Sequence, residues 1–163
     1  MKQTTLCYIE QNGCYLMLHR VKKANDVNHD KWIGVGGKLE PGETAEQCVL
    51  RETLEETGLT LTDWRYVGII DFHCPPWDSE QMHLYHATGF SGELIDCDEG
   101  ELVWLDKTRV PDIAGWEGDK IFLQLMEQNA SFFHLVLHYD GDTLINAELD
   151  GRALPLPGWE AAL

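Results

Sequence analysis

Apolar and polar residues alternate along most of this chain, and the period changes in two places. Residues 4–9 and 14–19 read as strands, with Gln11-Asn12-Gly13 as the hairpin signal between them. In the second run Leu16 and Leu18 alternate with Met17 and His19, so burial on both faces is expected. Residues 20–31 are polar and turn-rich, which predicts a flexible loop. From Glu43-Thr44 the pattern turns helical, and Gly58 closes it. Strands are expected again at 64–73 and 81–90; Cys74-Pro75-Pro76-Trp77-Asp78 between them cannot be a central strand. A short strand follows at 101–105. Pro111 is expected to break the chain before a helix at about 116–128, whose apolar face is Ile121, Phe122, Leu125 and Met126. Two further strands, 132–139 and 143–149, flank Asp140-Gly141, and the tail 151–163 has the look of a loosely attached segment. No internal repeat or linker interrupts this order.

The first helix carries the chemistry. Glu52, Glu55 and Glu56 are spaced by three and four residues, so they occupy one arc of about 100°. Three like charges on one stripe repel, and a plain solvated face gains nothing from them. A hard divalent cation such as Mg²⁺ or Mn²⁺ removes the conflict, because it takes carboxylate oxygens and shares its shell with substrate phosphates. Thr53 should lie beside this stripe as a packing adjustment. Leu50 and Leu54 fall on the opposite side, while Ala45, Cys48 and Val49 are apolar on the carboxylate side, so a helix gripped on two sides is expected. Just upstream, the glycines of Trp32-Ile33-Gly34-Val35-Gly36-Gly37 let the backbone approach an ion or phosphate closely. No Gly-Lys-Ser/Thr follows at P-loop spacing.

Composition narrows the classes. A length of 163 residues and a hydrophobic fraction of 44% suit one domain with its own core. The longest apolar run is too short to span a membrane, and the N-terminus is too polar for a signal peptide. Five cysteines without a CxxC pair are expected to be reduced thiols, and a cytoplasmic location follows. The net charge of −16 argues against a nucleic-acid polymer as partner, though not against one nucleotide carried with its metal. Five of the twelve basic residues, Arg20, Lys22, Lys23, Lys31 and Lys38, crowd together ahead of the helix, which suggests a positive rim for phosphates.

Gly37, Glu43, Arg51-Glu52, Glu55-Glu56 and Gly58-Leu59 stand at the spacings of the Nudix box, which this stretch resembles at every charged and glycine position; Thr53 replaces an aliphatic residue. The resemblance implies the Nudix fold, an α/β/α sandwich with a mixed sheet, over residues 1–150. Beyond the box it runs closest to MutT-type 8-oxo-dGTP diphosphatases, through Trp32–Lys38, Glu99 ahead of Trp104, and Trp116-Glu117-Gly118-Asp119.

In such enzymes the glutamates matching Glu52, Glu55 and Glu56 bind metal, joined by the Gly36 carbonyl, and the glutamate matching Glu43 pairs with the arginine matching Arg51. Glu99 matches a further metal ligand or water-activating acid, with Asp98 and Glu101 as rivals. Lys38 would meet a phosphate or orient Glu52, and Lys22 and Lys23 would lie on the phosphate rim. Trp116 and Asp119 match positions that stack on and read the base, although a core tryptophan and a helix-start acid are the plainer readings of the same residues. Ile33 stands where animal relatives carry a purine-reading asparagine. The implied activity is Mg²⁺- or Mn²⁺-dependent hydrolysis of an oxidised purine nucleoside triphosphate to the monophosphate and pyrophosphate. Other diphosphates (ADP-ribose, NADH, dinucleoside polyphosphates) and a non-catalytic Nudix binding protein are the alternatives. The seven histidines are read as ordinary polar or rim residues.

Overall fold

The computed structural model describes residues 1–113 and 115–163. β1 (Lys2–Gln11) and β2 (Cys14–His19) form the expected hairpin, with Asn12 and Gly13 at φ 52° and 74° in its turn. β3 (Trp32–Ile33), α1 (Ala45–Thr57), β4 (Leu59–His73), β5 (Glu80–Gly92) and β6 (Glu101–Asp106) follow. Then come α2 (Val110–Ile113), α3 (Asp119–Glu127), β7 (Phe133–Asp140), β8 (Thr143–Leu149), β9 (Arg152–Ala153) and a 3₁₀ turn at Trp159–Ala162. The strands lie in the order β3-β2-β1-β5-β4-β7-β8-β9, with β6 also paired to β2. β1 and β5 run parallel, as do β4 and β7, and the remaining pairings are antiparallel. This is the mixed sheet of the Nudix fold.

Two cores flank the sheet, and the central strands feed both. β1 sends Leu6 and Tyr8 to the α3 side and Cys7 and Ile9 to the α1 side; β2 divides Tyr15 and Met17 from Leu16 and Leu18 in the same way. A strand covered on both faces must be apolar at consecutive positions, as these are.

Three local expectations are corrected. β4 starts at Leu59, five residues before the expected 64, because Leu59 and Leu61 alternate inward with Thr60 and Thr62 outward. Pro111 lies inside the short α2, where a first-turn proline costs no hydrogen bond, and the next helix begins only at Asp119. The 20–31 segment is the expected turn-rich loop, closed by three hydrogen bonds: Arg20 N–H donates to the Lys31 carbonyl (2.9 Å), His29 N–H to that of Asp26 (2.9 Å) and Lys31 N–H to that of Asn28 (2.9 Å). The tail is docked. β9 pairs with β8, Leu154 is buried with its N–H on the Ala147 carbonyl (2.8 Å), and Leu156, Trp159 and Leu163 pack on the α3-side core. Its prolines exclude regular hydrogen bonding, but its spaced apolar side chains still gain from burial.

Candidate active site

Thr44 starts α1 with a reciprocal cap: its hydroxyl accepts from Gln47 N–H (3.1 Å), and the Gln47 side-chain oxygen accepts from Thr44 N–H (2.9 Å). Gly58 ends it at φ 81°, a conformation that disfavours a side chain. The grip on α1 is uneven: Leu50 packs partly against the α1-side core, as expected. Val49, Thr53, Glu56 and Thr57 are buried along the helix, whereas Leu54 is 50% exposed, so the second grip expected through Leu50 and Leu54 is not made at Leu54. Thr53 is fully buried and its hydroxyl oxygen has no partner, more than the neutral packing change expected of it.

The glycine segment runs beside β1. Thr5 N–H donates to the Gly37 carbonyl (2.8 Å) and Cys7 N–H to that of Val35 (2.6 Å). Gly36, between them, therefore turns its polar groups the other way, and its N–H reaches Glu56 Oε2 (3.4 Å). A Cβ on Gly36 would sit 1.9 Å from the Thr5 carbonyl oxygen, and one on Gly37 2.3 Å from the Glu52 carboxyl carbon. At Gly36 the clash is with backbone and excludes any side chain, as the close approach read from the sequence requires, whereas at Gly37 a side chain would have to displace the Glu52 carboxylate.

Glu52, Glu56, Glu99, Arg20 and Lys38 line a polar cavity of about 420 Å³. Burial pushes the Glu56 carboxyl well above the usual carboxylate range, and the charges of Glu99 and Glu52 push it the same way, against the Gly36 N–H and Arg20. Two arginines hold the surrounding acids. Arg51 grips Glu43 through Nε (2.6 Å) and Nη2 (2.8 Å), and the Arg51 contact holds the Glu43 carboxyl down at about 2. Its reach exceeds the expected Glu43 pair, since Nη1 also meets Glu52 (2.8 Å) and Glu55 (3.2 Å). Arg20 donates to Glu99 Oε2 (2.6 Å) and to Asp26 Oδ2 (2.8 Å). Among the described residues no three His, Cys, Asp or Glu side chains stand close enough to enclose an ion.

An apolar branch of about 40 Å³ opens from this cavity and shares Leu6, Val27, Asn28, Ile33, Glu80 and Met82 with it. Trp116 and Asp119 close its far end. The Trp116 ring is 5% exposed, packed edge-on to Phe72 (4.9 Å) and Tyr139 (4.9 Å), with Lys31 Nζ 4.5 Å above it. Asp119 is buried, one of its carboxyl oxygens has no partner among the described residues, and burial pushes its pKa up to about 8 against the opposing Trp116 backbone and Lys31.

The structure thus gathers Gly36, Gly37, Lys38, Glu52, Glu56 and Glu99 around one cavity and sets Trp116 and Asp119 at its apolar end. Asp98 and Glu101, the rivals of Glu99, are exposed and outside the lining. Glu55, the third acid of the stripe, is outside the lining and faces solvent, held by Arg51. Lys22 and Lys23 lie outside the lining, on the Cys97 carbonyl and on Glu99 (3.1 Å). The histidines also stand elsewhere: His83 meets Tyr66 and Gln3, His86 meets Glu10, His134 meets Asp71, and His73 stacks on His138. Sequence reasoning missed Asp26, Asn28, Glu80 and Met82. Nothing in their spacing marks them, because one pair comes from the 20–31 segment and the other from β5, and only the packing brings the two pairs to the cavity.

Comparison with known proteins agrees with this geometry. The NUDIX domain profile matches residues 2–126. The oxidized purine nucleoside triphosphate hydrolase of Danio rerio is 31% identical over 150 residues, which are 91% of this chain and 94% of that protein. A stretch of 84 residues, 49% of this chain and 29% of the other, is 38% identical to the NAD-capped RNA hydrolase NudC of Vibrio atlanticus. The crystal structure of a MutT protein from Bacillus halodurans superposes with a TM-score of 0.81 at 25% identity, covering 92% of this chain and 98% of that one. Together with the box on α1 and its carboxylates at the cavity, these matches place the chain in the NUDIX family, as a Nudix pyrophosphohydrolase.

Proposed function

We propose that this protein hydrolyses purine nucleoside triphosphates, with preference for the oxidised base of 8-oxo-dGTP, to the monophosphate and pyrophosphate, and so clears the cytoplasmic nucleotide pool of mutagenic precursors. The observation that carries this reading is the two-part cleft. A wide polar cavity rimmed by carboxylates and basic groups suits phosphates with a cation, and the narrow apolar branch joined to it is the place a flat base would enter once its walls part.

Nudix hydrolases use divalent metal ions, and the acidic donors that line the cavity beside the buried Glu56 carboxyl are all oxygens, which suits a hard cation such as Mg²⁺ or Mn²⁺. Glu52, Glu56, Glu99 and the Gly36 carbonyl would hold it, with Glu55 reaching in from the edge. When bound, the cation supplies neutralisation of phosphate charge and a lowered pKa for the attacking water. Arg51 keeps Glu52 in place and holds Glu43 against the loop. Lys38 meets a phosphate oxygen from the cavity wall. Glu99, released by Arg20, takes the proton of the attacking water. Asp119 reads the base edge at the end of the branch. As the branch stands, a purine needs side chains to move aside, and Met82 is the flexible one among them. Trp116, already closed in by Phe72 and Tyr139, serves as the wall behind the base.

The likeness to NudC over half of this chain favours a second reading, hydrolysis of another nucleoside diphosphate compound, because that relative is named for an NAD-capped substrate. A substrate panel with product analysis separates them. Release of pyrophosphate from 8-oxo-dGTP faster than from dGTP, abolished by EDTA and restored by Mg²⁺ or Mn²⁺, is the expected result. Faster turnover of ADP-ribose, NADH or a dinucleoside polyphosphate moves the function to the second reading.

A further inference from the structure

The apolar branch has few polar groups in its wall, and the 20–31 segment supplies one of them. Asn28 Oδ1 accepts a hydrogen bond from Trp116 Nε1 at 2.9 Å. An indole nitrogen can only donate, so the oxygen of the Asn28 amide must be the atom that faces Trp116. That leaves the Nδ2 group, with its two donors, to face the cleft, whose polar and apolar parts Asn28 both lines.

Asn28 is held from its other side as well. Its N–H donates to Asp26 Oδ1 (3.1 Å), and Asp26 Oδ2 accepts from Arg20 Nε (2.8 Å). The side chains of Arg20 and Asp26 are only 14% and 9% exposed. An amide fixed through both its backbone and its oxygen presents donors in a set direction, which is what selection by hydrogen bonding requires. Ile33, in the same wall, offers no polar atom.

We propose that Asn28 is a specificity-determining residue: its Nδ2 amide donates to a carbonyl oxygen on the edge of the bound base, so the cleft accepts oxo-purines and rejects adenine. The proposal deepens the nucleotide reading above and rests on it. Guanine, its 8-oxo form and hypoxanthine carry a carbonyl at the edge where adenine carries an amino group. Donor would then face donor, and neither would be satisfied.

The test is equilibrium binding of dGMP, 8-oxo-dGMP, dIMP and dAMP in EDTA to the full chain, comparing wild type with Asn28→Asp. Aspartate keeps an acceptor for Trp116 Nε1 and removes both donors. Its added charge repels all four phosphates alike, so that effect cancels in ratios. Wild type should bind dIMP at least about tenfold more tightly than dAMP, and Asn28→Asp should bring the two within about threefold or invert them. Asn28→Ser, which keeps a short acceptor but cannot reach the base, replaces it if the aspartate variant does not melt like wild type. A wild-type ratio retained in the folded variant, no wild-type preference for dIMP, or no measurable binding of any of the four overturns the proposal. Triphosphate hydrolysis is scored separately. A chain that separates the monophosphates but cleaves another diphosphate loses the substrate assignment and keeps this reader.

Discussion

Glu56 and Asp119 are two buried carboxylic acids at opposite ends of one cleft. Both are driven toward the protonated form, and burial is the largest cause for each. What surrounds them differs. Glu56 has Glu99 and Glu52 as further causes, so its end of the cleft is a conflict of like charges. Asp119 has no such neighbour, and burial among apolar walls acts almost alone. The same shift therefore marks two different devices. The first is relieved by a counter-charge, so it suits a cation. The second keeps a carboxylic acid neutral, able to donate as well as accept a hydrogen bond, so it suits an edge reader.

Replacing each acid by its amide should break this comparison most sharply at Glu56. Glu56→Gln is expected to lower kcat by at least about a hundredfold, because it removes a metal ligand from the transition state. Its thermal midpoint should hold or rise, since a neutral amide no longer suffers the charges of Glu52 and Glu99. Turnover like wild type would remove α1's acids from the metal site. At Arg51 a smaller loss is expected. Arg51→Lys keeps the charge but not the forked grip on Glu43 and Glu52, and kcat/KM should fall about tenfold. An unchanged kcat/KM would mean that the fork does not position Glu52.

Asp119→Asn sharpens the other half. The folded-state pKa of Asp119 is raised to about 8, above an unfolded value of about 4. The native state then holds a proton that the unfolded state gives up, so stability is full below about pH 4, falls as pH rises toward 8 and is flat beyond. Asparagine does not titrate. The variant should melt at least about 4 °C above wild type at pH 8.5, and the gap should close toward pH 4. A gap independent of pH would show that Asp119 carries no proton in the fold. The variant should also bring kcat/KM for 8-oxo-dGTP and dGTP closer together by a few fold, and equal loss on both would leave Asp119 a helix-start residue.

The smallest effect is expected at the lysines. Lys22 is engaged by the Cys97 carbonyl, Lys23 is outside the lining and paired with Glu99, and Lys31 is held by Asp142 and the Trp116 ring. Changing all three to glutamine should alter kcat/KM at low salt by less than about threefold, with the fall on adding salt little flattened. A marked flattening would restore them as a steering rim.

Local pattern alone was enough for α1, its cap, its three acids and the glycines beside it, since helical period, capping and steric exclusion act over a few neighbouring residues. It was also enough for the two-faced burial of β2, where apolar residues follow one another without alternation. It failed where the outcome depended on what lay opposite. Leu54 is as apolar as Val49, yet no element covers it. The tail reads as loose by its prolines, yet Leu154 finds a core built from residues far ahead of it.

By itself, then, the sequence determined which residues could carry the chemistry, because the Nudix box is a contiguous stretch with a fixed geometry of its own. Which of those acids faces the cavity, and which side chains line its apolar branch, was decided only by tertiary structure. Asn28 and Trp116 are 88 residues apart, and Arg20 and Glu99 are 79 apart. No local periodicity links such pairs. They meet because the β-sheet sets β2, β6 and the approach to α3 around one cleft, and a hydrogen bond across it exists only after that packing is complete.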